Sequence, residues 1–219
     1  MINREFKLVV FDWDGTLMDS EAQITHSLAT VITELALAER SHHELRNVIG
    51  LGLPEAIRQL YPDEGGDLID TFVERYRHHF LAGKHGASVF FKGALAVIQR
   101  LHRDDYLLAV ATGKSRRGLN RVLQESGTGD YFHITRCADE TFSKPHPQML
   151  LEIMAVLDVA PEETLMVGDT EYDLQMAAEA GTASLAVTYG VHSRERLLRH
   201  RPLACLNDIS EVGELLYKE

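Results

Sequence analysis

Asp12 and Asp14 stand two residues apart in Phe11-Asp12-Trp13-Asp14-Gly15-Thr16, directly after the apolar run Leu8-Val9-Val10. Like charges this close raise each other's pKa unless a cation compensates. The pair therefore suits a site that holds a metal and attacks an electrophile. Three more stretches come later in the chain. Leu107-Leu108-Ala109-Val110-Ala111-Thr112-Gly113 is an apolar run ending in a hydroxyl and a glycine. Ser143-Lys144-Pro145-His146-Pro147 sets a lysine among turn residues. Leu165-Met166-Val167-Gly168-Asp169-Thr170-Glu171-Tyr172-Asp173 is an apolar run ending on one carboxylate, with a second four residues on. As a set these residues can transfer a phosphoryl group. Asp12 can attack phosphorus, and Asp14 can protonate the leaving oxygen and later deprotonate water. Thr112 and the Gly113 amide can hold phosphoryl oxygens. Lys144 can neutralise charge, and Asp169 can complete a Mg²⁺ site, since Mg²⁺ takes oxygen ligands from carboxylates and substrate phosphate.

Read singly, each residue has an ordinary use. Asp12 and Asp14 suit a turn, Thr112 a helix cap, Lys144 a solvated surface, and Asp169 and Asp173 a helix N-terminus. What raises them above these uses is that the runs before Asp12, Thr112 and Asp169 read as buried strands. In an open parallel sheet, ligands bind at the carboxyl ends of the strands. Strands are expected at 7–12, 106–112, 131–135, 163–168, 183–188 and 203–206. Helices are expected near 93–103, 115–126, 147–158, 171–180 and 208–217, with Gly127 and Gly181 as stops. Such alternation predicts a parallel sheet covered on both faces. Between 20 and 83 the pattern is helical only. Ile24, Leu28, Val31, Ile32 and Leu35 share one face; Ser41 caps a short helix through Ile49; Pro54 opens the next; Leu68, Phe72, Tyr76 and Phe80 recur every four residues. Residues 83–86 (Gly-Lys-His-Gly) read as the return linker.

The pattern Asp12-Trp13-Asp14-Gly15-Thr16, then Thr112, then Lys144, then Gly168-Asp169 with Asp173, resembles the haloacid dehalogenase superfamily. Within it, the chain is similar to the branch with a small helical cap that includes phosphoglycolate-phosphatase-like enzymes. The resemblance spans almost the whole chain. It implies an α/β fold, a Rossmann-like doubly wound parallel sheet (1–19 and 84–219) with an all-helical cap (20–83) inserted after the first strand. It also implies Mg²⁺-dependent hydrolysis of a small phosphorylated metabolite through an aspartyl-phosphate. Asp12, Asp14, Thr112 and Lys144 are then the expected catalytic residues. Asp12, Asp14 (through its backbone carbonyl), Asp169 and Asp173 are the expected metal set, with Asp173 either a ligand or an acceptor behind the ligands. Thr16, Gly113 and Lys114 are expected substrate contacts, as are Arg46 and Gly52 in the cap segment that lies over the site. Lys92-Gly93 stands where the family often has Pro-Gly.

Two rivals share this pattern. A phosphosugar mutase of the same branch typically carries a histidine entering the cap, where this chain has Ile24 in Asp19-Ser20-Glu21-Ala22-Gln23-Ile24. A catalytically silent binding protein would keep the fold, but every expected catalytic residue is present. A dehalogenase would lack the second motif carboxylate, Asp14. Composition narrows the field further. At 219 residues the chain suits one core plus a modest insertion. A net charge of −11 argues against a general nucleic-acid binder. Cys137 and Cys205 are far apart, which fits a reducing cytoplasm and no disulfide framework. No apolar run approaches membrane-spanning length, no signal sequence is read before the first strand, and a monomer is the default expectation. The eleven histidines form no zinc-like cluster.

Overall fold

The computed structural model describes residues 6–82 and 89–217. The expected return linker at 83–86 and the lead-in at 1–5 lie outside the described residues. Strand β1 (Leu8–Phe11) is followed by a two-residue strand β2 (Met18–Asp19) and four helices, α1 (Glu21–Glu34), α2 (His42–Asn47), α3 (Leu53–Leu60) and α4 (Gly66–Ala82). The chain returns through β3 (Val89–Phe90), antiparallel to β2. Then come α5 (Ala94–Arg103), β4 (Leu107–Thr112), α6 (Arg116–Ser126), β5 (Ile134–Cys137), α7 (Gln148–Leu157), β6 (Thr164–Gly168), α8 (Glu171–Glu179), β7 (Ala183–Val187), α9 (Arg194–Leu198), β8 (Ala204–Leu206) and α10 (Ser210–Leu216).

The sheet order is β5-β4-β1-β6-β7-β8, and every pairing is parallel. Alternation along the strands feeds two cores. Val9, Phe11, Val110, Leu165 and Val167 pack with Ile98 and Leu101 of α5 and Val212 of α10. Leu8, Val10, Ala109 and Met166 pack on the other face with Met149 and Ile153 of α7 and Met176 of α8. Each fully buried aliphatic side chain contributes about 1.5–3 kcal/mol relative to exposure, so neither face of β1 can be turned to water. The four inserted helices close on a core of their own, with Leu28, Val31, Ile57 and Phe72 at its centre.

Register sets the site. Phe11 lies opposite Val110 on one side and Val167 on the other. The carboxyl ends of β1, β4 and β6 therefore lie at one edge of the sheet, with β4 running two residues further, and Asp12, Thr112 and Asp169 stand there. Local signals place the helix ends. Ser41 and Glu44 form a capping box at α2, Pro54 sits in the first turn of α3, and Gly127 ends α6 at φ 64°.

Three elements differ from the sequence expectation. The strand expected at 131–135 lies at Ile134–Cys137, because residues Gly129–Tyr131 form a 3₁₀ turn. Tyr131 and Phe132 read as strand residues, but Phe132 is spent on the core, edge-on to Trp13 at 6.1 Å. Helix α9 has five residues, capped by Ser193, and one turn is too short to show a period. The β2–β3 pair is likewise too short to leave an alternating pattern.

Candidate active site

Asp12 is the first residue past β1, and its amide still donates to the Val167 carbonyl at 2.9 Å. That bond fixes its backbone between β1 and β6. One carboxylate oxygen, Oδ1, accepts from the Trp13 amide at 2.6 Å and from Lys144 Nζ at 2.7 Å. The other, Oδ2, is buried with no hydrogen-bond partner. Trp13, fully buried against Phe90 and Phe132, anchors the turn, so Asp12 and Asp14 diverge. Asp14 accepts from Ser20 Oγ at 2.5 Å and pairs with Lys114 Nζ at 2.9 Å.

Lys144 reaches the site from the loop before α7 and is 1% exposed. Its ammonium lies 2.7 Å from both Asp12 Oδ1 and Asp173 Oδ1. Asp173 Oδ2 accepts from the Thr170 amide and hydroxyl, in the capping box that starts α8. Asp169 comes directly after β6. Thr16 Oγ1 donates to its Oδ1 at 2.7 Å, and the Val191 amide donates to its Oδ2 at 2.8 Å. A Cβ on Gly15 would lie 2.2 Å, and one on Gly190 2.4 Å, from Asp169 Oδ2. Only glycine lets both loops close on this carboxylate. Gly15 also sits at φ 85°, the left-handed region glycine favours.

Three buried carboxylates here face one buried ammonium. Burial pushes the Asp12 carboxyl well above the usual carboxylate range, with Lys144 pulling against it and Asp173 and Asp169 adding to it. Burial, with Asp173 beside it, raises Asp169 to about 7. Burial alone would depress Lys144; Asp12 and Asp173 outweigh it and hold its pKa above the ordinary lysine value. The excess negative charge and the unpartnered Asp12 oxygen are features that a divalent cation relieves. Oxygens of Asp12, Asp169 and Asp173 lie within 4.8 Å of one another, so the residues present fit a hard cation.

Asp12, Asp14, Thr112, Gly113 and Lys114 line a cavity of about 190 Å³ between the sheet edge and the helical insertion. Thr112 is buried at the end of β4, where its hydroxyl accepts from the Lys114 amide at 3.2 Å.

A family model described as haloacid dehalogenase-like hydrolase matches residues 9–187. The chain belongs to this family. Among curated relatives of these hydrolases, it is 33% identical to the probable phosphatase IndB of Dickeya dadantii, over 94% of this chain and 91% of that one. It is 29% identical to a phosphoglycolate phosphatase of Vibrio vulnificus, over 99% and 98%. The hydrolase is thus an enzyme of the phosphatase kind, in the phosphoglycolate-phosphatase-like branch. Its fold superposes on a haloacid dehalogenase-like hydrolase of Streptococcus pneumoniae with a TM-score of 0.83, at 23% identity, over 96% of this chain and 98% of that one.

Three residues expected to touch substrate are placed elsewhere in this hydrolase. Thr16 is fully buried and spends its hydroxyl on Asp169. Arg46 is bound to Glu21 at 2.8 Å and to the Gly190 carbonyl at 2.6 Å, outside the lining of the cavity. Gly52 donates its amide to Ser143 Oγ at 2.7 Å. None of the three lines the cavity.

Sequence reading missed the loop after β7. Its residues Gly190 and Val191 enclose Asp169, and the Tyr189 hydroxyl donates to the Thr16 carbonyl at 2.8 Å. The signal was available, since β7 is followed by Thr188-Tyr189-Gly190 at the carboxyl edge of the sheet. Ser20 was missed too, though it comes directly after Asp19 at the entry to the helices.

Proposed function

We propose that this hydrolase is a Mg²⁺-dependent phosphatase of a small phosphorylated metabolite, working through an aspartyl-phosphate on Asp12. The observation that carries the reading is the state of Asp12. One oxygen is held by Lys144 and the Trp13 amide, while the other is free of protein partners in a residue that opens on the cavity. Asp14, two residues on, lines the same cavity. In the first step an Asp12 oxygen bonds to phosphorus in line as the bond from phosphorus to the leaving oxygen breaks. Asp14 gives its proton to that oxygen. In the second step Asp14 takes a proton from water, the water oxygen bonds to phosphorus, and Asp12 leaves as a carboxylate with inorganic phosphate. Thr112 and the Gly113 amide hold phosphoryl oxygens through both steps. Asp12, Asp169 and the Asp14 carbonyl would hold Mg²⁺. When bound, the ion supplies charge to offset the phosphoryl oxygens and orients phosphorus toward Asp12. Asp173 has one oxygen on Lys144 and the other in the α8 cap, so it serves as the anchor of Lys144 rather than as a ligand.

The four inserted helices, 20–83 with the rest as core, act as a cap that excludes water during the chemistry and opens for release. Among the described residues no helix is long and apolar enough to cross a membrane. Together with two free cysteines, this supports a cytoplasmic enzyme, taken as a monomer.

Phosphate release from a panel of esters, with and without Mg²⁺, tests the reading. Turnover should vanish in excess chelator and return with Mg²⁺, and Ca²⁺ should inhibit because its looser shell misplaces the nucleophile. Asp12→Asn should fold and lose nearly all turnover. Full activity in chelator would remove the metal from the reading. Return of phosphate to a sugar hydroxyl would favour a mutase, and silence toward every ester a binding protein.

A further inference from the structure

The cavity above Asp12 has two unlike halves. The sheet side is polar, with Asp12, Asp14, Thr112 and Lys114. The cap side is mainly an apolar wall of Leu28, Ile49, Leu51, Leu53, Tyr76 and Phe80, with Glu55 and Arg77 also in its lining. Tyr76 and Phe80 stack one turn apart on α4, at 5.6 Å and 20° between planes. The described cations of the lining are Lys114, Arg77 and Arg117. Lys114 is already paired with Asp14 at 2.9 Å and lies over the Phe80 ring at 4.8 Å. Arg77 and Arg117 are exposed at the rim.

We infer that the leaving group of the natural substrate is compact, free of a second negative charge and mainly apolar, about one ring in size, and rests on this cap wall. The inference depends on the phosphatase reading and adds the substrate class to it. A second anion beside the phosphoryl group, such as the carboxylate of phosphoglycolate or the second phosphoryl of pyrophosphate, would be stripped of water against aliphatic and aromatic carbon. Burying a charge without a partner is costly, and among the described residues no buried unpaired cation lines that half. An apolar body gains from the same surface. Size is bounded by the volume: about 190 Å³ falls below the roughly 300–1,000 Å³ that holds drug-sized ligands.

The test compares kcat/KM in saturating Mg²⁺ for benzyl phosphate, 2-phosphoglycolate, pyrophosphate and acetyl phosphate. Benzyl alcohol and glycolate are both primary alkoxide leaving groups, so their esters differ mainly in the body the cap must accept. Benzyl phosphate should exceed 2-phosphoglycolate by at least about tenfold, the discrimination a hydrophobic pocket can supply. Leu53→Ala and Phe80→Ala should lower the ratio of benzyl phosphate to acetyl phosphate by about tenfold each, a ratio that partial unfolding does not move. Phosphoglycolate or pyrophosphate turned over as well as benzyl phosphate would overturn the substrate class and leave the phosphatase reading standing. An unchanged ratio in both variants would overturn the cap wall as its seat. No Mg²⁺-dependent turnover of any ester, acetyl phosphate included, would overturn the phosphatase reading and this inference with it.

Discussion

Lys144 joins Asp12 to the helix behind it. Its ammonium touches Asp12 and Asp173 at 2.7 Å each with almost no solvent access. Removing one partner of a buried ion pair leaves the other charge uncompensated and costs about 3–5 kcal/mol. Lys144→Met should therefore lose about that much stability in urea unfolding. Lys144→Met with Asp173→Asn should lose less than the sum of the two single changes, since the second substitution removes a charge the first one stranded. Additive losses would mean that the two groups do not share a bond in solution. Asp14 makes a different expectation, because its bonds run to Ser20 and Lys114 and away from Asp12. Asp14→Asn should slow turnover by about 10²–10⁴-fold, the usual worth of a general acid–base. With a good leaving group, hydrolysis of the phosphoenzyme should suffer more than its formation, so a single-turnover experiment should show phosphoenzyme accumulating.

Elements hold these residues through their ends. Glu171, the first residue of α8, is bound to Arg196 of α9, and Arg196 also reaches Asn47 at the end of α2. The Arg196 guanidinium holds the Glu171 carboxyl down at about 2, against an ordinary 4.5. A carboxyl with a lowered folded-state pKa binds protons more readily when unfolded. Its stabilisation is therefore complete above about pH 4.5 and is lost as pH falls toward about 2. The difference in unfolding free energy between wild type and Glu171→Gln should be flat above pH 5 and shrink below it, with chemical denaturation at several pH values as the measurement. The capping box of α2 sets a second expectation. Ser41→Ala removes the acceptor for the Glu44 amide. It should lower stability by about 1 kcal/mol, read as a lower Tm, while leaving the substrate ranking unchanged because Ser41 is not part of the cavity lining.

Across the whole molecule, the inserted helices meet the sheet side through hydrogen bonds of named residues. Arg46 of α2 donates to the Gly190 carbonyl, and the next residue, Val191, donates to Asp169. The Tyr172 hydroxyl of α8 donates to the Asn47 carbonyl at 2.9 Å. At Gly113 a Cβ would come within 2.4 Å of the Leu51 carbonyl, so only glycine lets the loop before α3 lie against the end of β4. Arg46 thus ties the helical insertion to the loop that encloses Asp169 and lies outside the cavity lining. A charge-assisted hydrogen bond is worth about 1.5–3 kcal/mol. Arg46→Ala should accordingly reduce kcat/KM by on the order of tenfold or more, evenly across the ester panel. A change of ranking would place Arg46 in the specificity wall instead.

The sequence by itself determined the motif residues and the alternation that supports them. Apolar runs ending in Asp, Thr and Asp are local facts, and parallel strands put such ends on one edge whatever the strand order. Capping at Ser41 and the stop at Gly127 were equally legible, because caps and left-handed glycines act over three or four residues. Tertiary structure alone decided the partners. Nothing near Thr16 in the chain shows that Asp169, 153 residues on, will take its hydroxyl. Nothing near Arg46 points to the Gly190 carbonyl 144 residues away. Nothing near Asp173 in the chain shows that the Lys144 ammonium will lie 2.7 Å from it. The strand expected at 131–135 shifted for the same reason, since an aromatic pair reads alike whether it lines a sheet or closes a core. Periodicity tells which face is buried, but only the packed chain tells what lies on the other side of it.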